Sequence, residues 1–179
     1  MIYLYFIDAA HFVHAPYLNK VWCFRGVFIK SSSGRKRFNV LGALNAITKN
    51  LITITNDSYI NSETIKDLLI ELRKYHPNNF PIHLILDNAK YQRCNMVKQI
   101  AEQLNITLEF LPTYSPNLNL IERLWKFMKK KVLYGKYYDA FQSFKDGINS
   151  CIFKINDCNE YKKELNMLLS LKFQTLKFT

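Results

Sequence analysis

The spacing of hydrophobic positions changes about a third of the way along the chain. Up to Asp57 the apolar residues form short, β-branched and aromatic stretches, and after Asn61 helical and strand spacings alternate. Tyr3 to Ile7 is apolar and aromatic throughout, the pattern of a central strand buried on both faces, and Asp8 ends it. Val21 to Ile29 and Phe38 to Thr48 are rich in β-branched and aromatic residues, and the turn-forming stretch from Ser31 to Gly34 predicts that they form a hairpin. Leu51 to Asp57 follows Lys49-Asn50 and reads as a further short strand pairing back. Asn61 or Ser62 is placed to cap a helix in which Ile65, Leu68, Leu69 and Leu72 recur at helical spacing, and Pro77 ends that helix. Pro81 to Asp87 is a short apolar strand closing on a carboxylate. Val97, Ile100, Ala101 and Leu104 mark the next helix, and Ile106 to Leu111 the next strand, closed by Pro112. A basic helix is predicted from about Asn117 to Tyr134 and another over roughly Tyr138 to Phe153. A last helix falls at about 157–172, with Asp157 and Glu160 as its cap and Leu165, Leu168 and Leu169 on its apolar side.

Three antiparallel strands followed by alternating helices and strands predict an α/β fold, a mixed central sheet flanked by helices. The 179 residues suit a single domain, 1–179, with no repeat and no low-complexity linker. No apolar run approaches the roughly 18 residues of a membrane span. The apolar start has no basic leader and meets Asp8 at once, so it reads as a strand rather than a signal peptide.

Lysine and arginine number 25 against 14 acidic residues, a formal charge of +11. Such a surplus points to a polyanion, with nucleic acid first among partners; a basic protein without a particular partner is the plainer reading. Cys23, Cys94, Cys151 and Cys158 form no CxxC pair and no Cys/His cluster of zinc-ligand spacing. They read as buried free thiols, which a reducing cytoplasm suits.

Asp8 and Asp87 both close apolar strands. In a mixed sheet, functional groups gather at the carboxyl ends of strands, and parallel neighbours would set these two acids side by side. Carboxylates that close repel unless a cation neutralises them. Oxygen-only ligands suit magnesium or manganese rather than zinc. Glu122 falls in the first turn or two of the basic helix, near the positive helix end, where a carboxylate is favoured. Each acid taken singly has a plainer role. Asp8 would cap a strand, Asp87-Asn88 would begin a turn, and Glu122 would pair with Lys126 for about 0.3–0.5 kcal/mol. Taken together, with the basic charge and the element order, they favour a metal site.

The stretches LILDNAKYQR, Leu84 to Arg93, and LPTYSPNLNLIERLWKFMKK, Leu111 to Lys130, resemble the second and third catalytic blocks of the mariner-like insertion-sequence transposases. FIDAAH, Phe6 to His11, is similar to the first. That family is called DDE after its three metal-binding acids. Between Asp87 and Glu122 lie 34 residues, a spacing typical of it. The resemblance covers nearly the whole chain and implies a ribonuclease H-like fold. It implies that Asp8, Asp87 and Glu122 are the catalytic, metal-binding triad. Asn88 matches the asparagine after the second acid, and Ser115, Pro116, Asn119 and Trp125 match the loop and helix around the third. Two positions depart from the pattern: Ala9 stands where many relatives have glutamate, and Tyr91 where many have histidine. Neither removes an expected ligand. Family members usually carry helix-turn-helix modules ahead of the catalytic part. This sequence starts almost at its first catalytic strand, so the expectation is a catalytic domain without that DNA-binding region.

The resemblance further implies two Mg2+ or Mn2+ ions, bridged by Asp8, with Asp87 on one and Glu122 on the other. The implied activity is strand cleavage and strand transfer in cut-and-paste transposition of double-stranded DNA. A homodimer would act on paired transposon ends, at the nucleoid of a prokaryotic cytoplasm. Two alternatives stay open: a catalytically silent DNA-binding remnant, and a ribonuclease H-like nuclease that hydrolyses without joining. Arg123, Lys126, Lys129, Lys130 and Lys131 lie on the helix whose Leu118, Ile121, Leu124, Trp125, Met128 and Val132 form an apolar side. They either contact DNA phosphates or make an ordinary solvated face. Arg35, Lys36 and Arg37, at the expected hairpin tip, are a second candidate contact. Structural or exposed roles fit His11 and His14 better than metal-facing ones, and core packing fits Trp22 and Trp125.

Overall fold

In a computed structural model the described residues are 2–14, 36–112 and 118–171. The expected strand Val21 to Ile29, the Ser31 to Gly34 turn, Trp22, Cys23, Arg35, Ser115 and Pro116 lie outside them. The described strands are β1 (Tyr3–His14), β2 (Lys36–Asn45), β3 (Leu51–Asn56), β4 (Ile82–Leu86) and β5 (Ile106–Phe110). They form one sheet in the order β3-β2-β1-β4-β5. β1, β2 and β3 are antiparallel, while β4 and β5 run parallel to β1. The helices are α1 (Ser62–Tyr75), α2 (Asn95–Gln103), α3 (Leu120–Val132), α4 (Phe141–Asp157) and α5 (Asn159–Leu168). Among the described residues no helix is long and apolar enough to cross a membrane.

Strand side chains alternate between the two faces, and that alternation divides the core in two. Tyr5 and Ile7 of β1, with Leu41 and Ala43 of β2, pack against α1 and α2 through Leu68, Leu72 and Val97. Phe6, Ala10 and Phe12, with Phe38, Val40 and Leu44, face α3, α4 and α5 through Leu124, Met128, Ile148 and Leu165. Fully burying a leucine, isoleucine or phenylalanine side chain contributes about 1.5–3 kcal/mol, so both layers are needed to hold the sheet.

Several boundaries differ from the sequence expectation. β1 does not end at Asp8 but continues to His14, because β2 pairs with it from Tyr5↔Asn45 through His14↔Lys36. β2 ends at Asn45, three residues short of Thr48, where the Asn45 side chain accepts the Ile47 and Thr48 amides and turns the chain. α3 starts at Leu120 rather than Asn117. α4 starts at Phe141, since Tyr138 is engaged elsewhere: its hydroxyl donates to the Val132 carbonyl at 2.8 Å. Asp157 closes α4 instead of capping α5, whose cap position is Cys158 and has no side-chain cap bond. The α1 cap is as expected. Asn61 Oδ1 accepts the Thr64 amide at 3.0 Å, and Thr64 Oγ1 accepts the Asn61 amide at 3.4 Å.

The far end of α1 is pinned by polar contacts. Arg73 donates to the carbonyls of His76, Phe80, Leu104 and Asn105, satisfying groups that helix ends leave open. His76 is buried, shares a 2.7 Å hydrogen bond between its Nε2 and the Tyr5 hydroxyl, and stacks on Tyr3. Burial, with the Arg73 charge adding, holds its pKa below the ordinary 6.5. The unfolded chain therefore takes up this proton first as pH falls. The stability it contributes is full above about 6.5 and declines below that value. Thermal unfolding from about pH 7 down to pH 5 is expected to lose more stability in the wild type than in His76→Gln. Equal losses in the two would take His76 out of the pH response.

Candidate active site

The two strand acids are placed by register and alternation. The β1–β4 ladder ends at Ile7↔Leu86, so the next residues, Asp8 and Asp87, leave it side by side. Asp8 shares its face with Phe6 and Ala10, and Asp87 continues the row of Ile85, which packs on the α3 side. Both therefore meet α3, at the carboxyl end of β4, where β1 runs on without a parallel partner.

α3 brings three side chains to this place. Asn119, at the helix start, makes no cap bond to its own helix. Its Nδ2 instead donates to the Ile7 carbonyl at 3.2 Å and to Asp87 Oδ1 at 3.1 Å. The reverse orientation of the amide would set its oxygen against two acceptors, so the assignment is fixed by chemistry. Asn119 is 1% exposed, and its Oδ1 has no hydrogen-bond partner among the described residues. Glu122 follows in the first turn, half-buried. Trp125 lies one turn further on, buried, and its Nε1 donates to Asp8 Oδ2 at 3.0 Å. The indole seat exists because β2 presents Gly42 opposite Asp8. A Cβ there would stand 2.6 Å from Trp125 Cη2 and 3.2 Å from Ile121 Cδ1.

The three acids share one electrostatic field. Burial pushes Asp8 up to about 7; the Ala9 backbone donor pulls it down, the Asp87 and Glu122 charges push it up, and the indole donor pulls it down. Burial also raises Glu122, with Asp87 adding and Lys126 opposing. Tyr91, at the position of departure noted above, is raised by burial and by the charges of Asp8 and Asp87. Among the described residues no three His, Cys, Asp or Glu side chains stand as a ready-made ligand set. Like charges repel, so three carboxylates close on one point only with a cation among them. Among the described residues no direct ion pair joins Glu122 to Lys126, although the Lys126 charge acts on it.

The other expected residues are scattered in role. The Asn88 carbonyl accepts from Arg93 at 3.3 Å. Lys126 and Lys130 are exposed and Lys129 is half-exposed. Lys131 is turned onto α5, paired with Glu164 at 2.8 Å and lying over the Phe127 and Tyr161 rings. Arg123 donates to the Ser170 carbonyl at 3.0 Å. Lys36 and Arg37 are exposed and line a groove with Asp57, Ser58, Tyr59 and Phe141. His14 is buried against Phe141 and Phe144 with Nε2 2.9 Å from the Tyr138 carbonyl, and exposed His11 bonds Asn39 at 2.6 Å. Neither takes part in the carboxylate cluster. Cys151 is a buried free thiol, pushed up to about 11 by burial, while Cys94 and Cys158 are free and half-buried. Gly42 is the member of the site that sequence reasoning did not select. For Gly42 a signal existed, since a glycine inside a strand pattern marks a close approach.

A five-stranded mixed sheet between helical layers, with acids at the end of the central parallel pair, is the ribonuclease H-like fold of transposase and integrase catalytic cores. The catalytic domain of Mos1 mariner transposase superposes with a TM-score of 0.63 at 15% identity, over 92% of this chain and 76% of that one. The Mos1 mariner paired end complex with manganese gives 0.66 at 18% identity, over 92% and 52%. The integrase catalytic core of HTLV-2, in complex with magnesium, gives 0.58 at 12% identity, over 87% of each chain. At the level of sequence, the model of the DDE superfamily endonucleases matches residues 3–145, and the chain belongs to that family. It is also 30% identical over 93 residues to the uncharacterized protein y4pE/y4sA of Sinorhizobium fredii (strain NBRC 101917 / NGR234), covering 52% of this chain. It spans 64% of that relative and about half, 52%, of the Mos1 chain in the paired end complex.

Proposed function

We propose that this chain is the catalytic domain of a cut-and-paste transposase, which cleaves DNA strands and joins them to a target using divalent cations. One observation carries the reading: the β1–β4 register sets Asp8 and Asp87 side by side at the end of a ribonuclease H-like sheet, and α3, which carries Glu122, is tied to both through Trp125 and Asn119. The donors fit a hard cation, being all carboxylate and partly buried. Manganese in the Mos1 complex and magnesium in the HTLV-2 core support the same choice. Asp8, Asp87 and Glu122 would hold the ions. When bound, the ions supply a deprotonated nucleophile at neutral pH and charge stabilisation for the leaving oxygen. The protein's own part is to hold the acids, keep them partly dry and set the DNA beside them.

Double-stranded DNA is the proposed partner. Exposed Lys126 and Lys130 and half-exposed Lys129 on α3, with exposed Lys36 and Arg37 at the start of β2, are the cations proposed to meet phosphates. Lys131 and Arg123 are excluded from this set because each is committed within the fold. Replacing Lys126, Lys129 and Lys130 together by alanine is expected to flatten the slope of log K against log salt by about 2–3, near 0.9 per lost phosphate contact. An unchanged slope would take α3 out of the DNA interface. The proposed active form is a homodimer on paired ends, and sedimentation with and without precut end DNA reads it directly.

A joining assay tests the activity. Precut ends, a supercoiled target and magnesium are expected to yield joined product. Nicked target without joining would make the domain a hydrolytic nuclease, and no cleavage of either DNA would make it a binding remnant.

A further inference from the structure

Glu122 and Trp125, three residues apart, share one side of α3, and Asn119 stands at its N-cap. Asn119 and Trp125 each reach a strand acid, and each does so differently. Glu122 lies between the other two on the helix, and in the proposed reading it is the third acid. The Trp125 indole is a donor and never an acceptor, so the oxygen it meets at 3.0 Å must be a carboxylate lone pair of Asp8. Asn119 spends both hydrogens of one nitrogen across the end of the β1–β4 ladder, one on the residue before Asp8 and one on Asp87 itself. These bonds are shielded, because both side chains are almost fully buried and water cannot substitute for them. The indole also has no other seat, since it fills the space that Gly42 leaves opposite Asp8.

We infer that Trp125 and Asn119 are positioning residues: α3 presents Glu122 and, through an indole N–H and an amide N–H, also fixes the two strand carboxylates. The helix thereby sets all three acids by one docking event, and its packing against β1 and β2 is part of the site. This rests on the reading of Asp8, Asp87 and Glu122 as ligands of divalent cations. Groups that orient metal ligands typically matter at 10–100-fold in affinity, which sets the expected scale.

The test is Mn2+ binding to the full chain without DNA, by titration calorimetry, for wild type, Trp125→Phe, Asn119→Leu and Asp87→Asn. Phenylalanine keeps most of the packing and removes the donor; leucine keeps the branching of asparagine, with more bulk, and removes both donor hydrogens. Expected is about 10–100-fold weaker Mn2+ binding in Trp125→Phe and in Asn119→Leu, with cleavage recovering as Mn2+ is raised to saturation. A merely structural role would lower the melting temperature and leave the affinity of the folded fraction alone. If Trp125→Phe does not fold, the benzothienyl analogue of tryptophan, with sulfur in place of the N–H, takes its place at position 125. Unchanged affinity in the Trp125 and Asn119 variants beside weakened binding in Asp87→Asn overturns the positioning role and leaves the triad standing. Undiminished affinity in Asp87→Asn overturns the triad, and this inference with it.

Discussion

Asp87→Asn is expected to bind DNA as the wild type does and to cut it about 10³-fold more slowly, or worse. The substitution changes a charge and scarcely a shape. Asn119 keeps an oxygen to donate to, so the end of β4 keeps its place. What is lost, on the proposed triad, is a ligand charge in a partly dry site, and removing one preorganised electrostatic group in such a site costs on the order of 10²–10³ in rate. A metal ligand does more than one hydrogen-bond donor, so the effect belongs at or above the top of that range. Gel-shift titration and single-turnover cleavage with magnesium read the two quantities separately. Wild-type cleavage by the variant would take Asp87 out of the chemistry.

Gly42→Ala has the second largest expected effect, and it alters no acid. The added methyl would lie 2.6 Å and 2.9 Å from two carbons of the Trp125 ring, so the ring must move. Overpacking of this kind costs about 1–3 kcal/mol. For a chain of this size that is roughly 2–12 °C in melting temperature. Moving the ring also takes its N–H from Asp8, so cleavage is expected to fall further than the stability loss explains. Leu44→Ala, a buried position on the same face of β2, is the control. It costs about 2–5 kcal/mol through a cavity and touches no acid, so the folded fraction should cleave normally. A Gly42→Ala protein that melts and cleaves like wild type would mean the indole is not seated against Asp8.

What the sequence made legible here is local. The α1 cap could be narrowed to Asn61 or Ser62, and it is Asn61 that caps, accepting the Thr64 amide. Glu122 at the start of a basic helix needed only the helical period. Asp8 and Asp87 could be paired because each followed an apolar strand, and the parallel register does set them side by side. The misread boundaries all depend on distant partners. A charged residue inside an apolar run looks like a strand end, but β1 continues past Asp8 because β2, some 30 residues later in the chain, pairs with it from Tyr5 through His14. Tyr138 looked helical and is held out of α4 by a carbonyl of α3. Trp125 carried the same difficulty. A tryptophan on the apolar side of a helix reads as core, and it is core; its bond to Asp8 spans 117 positions and leaves no local trace. Lys131 looked like its lysine neighbours until α5 supplied Glu164 and Tyr161.

The most direct measurement is anomalous diffraction from crystals soaked in Mn2+. The account predicts one or two manganese peaks bounded by the carboxylates of Asp8, Asp87 and Glu122. Two ions would stand about 3.5–4 Å apart, with Trp125 still donating to Asp8. Manganese bound elsewhere, with Glu122 turned to solvent and none between the strand acids, would contradict it.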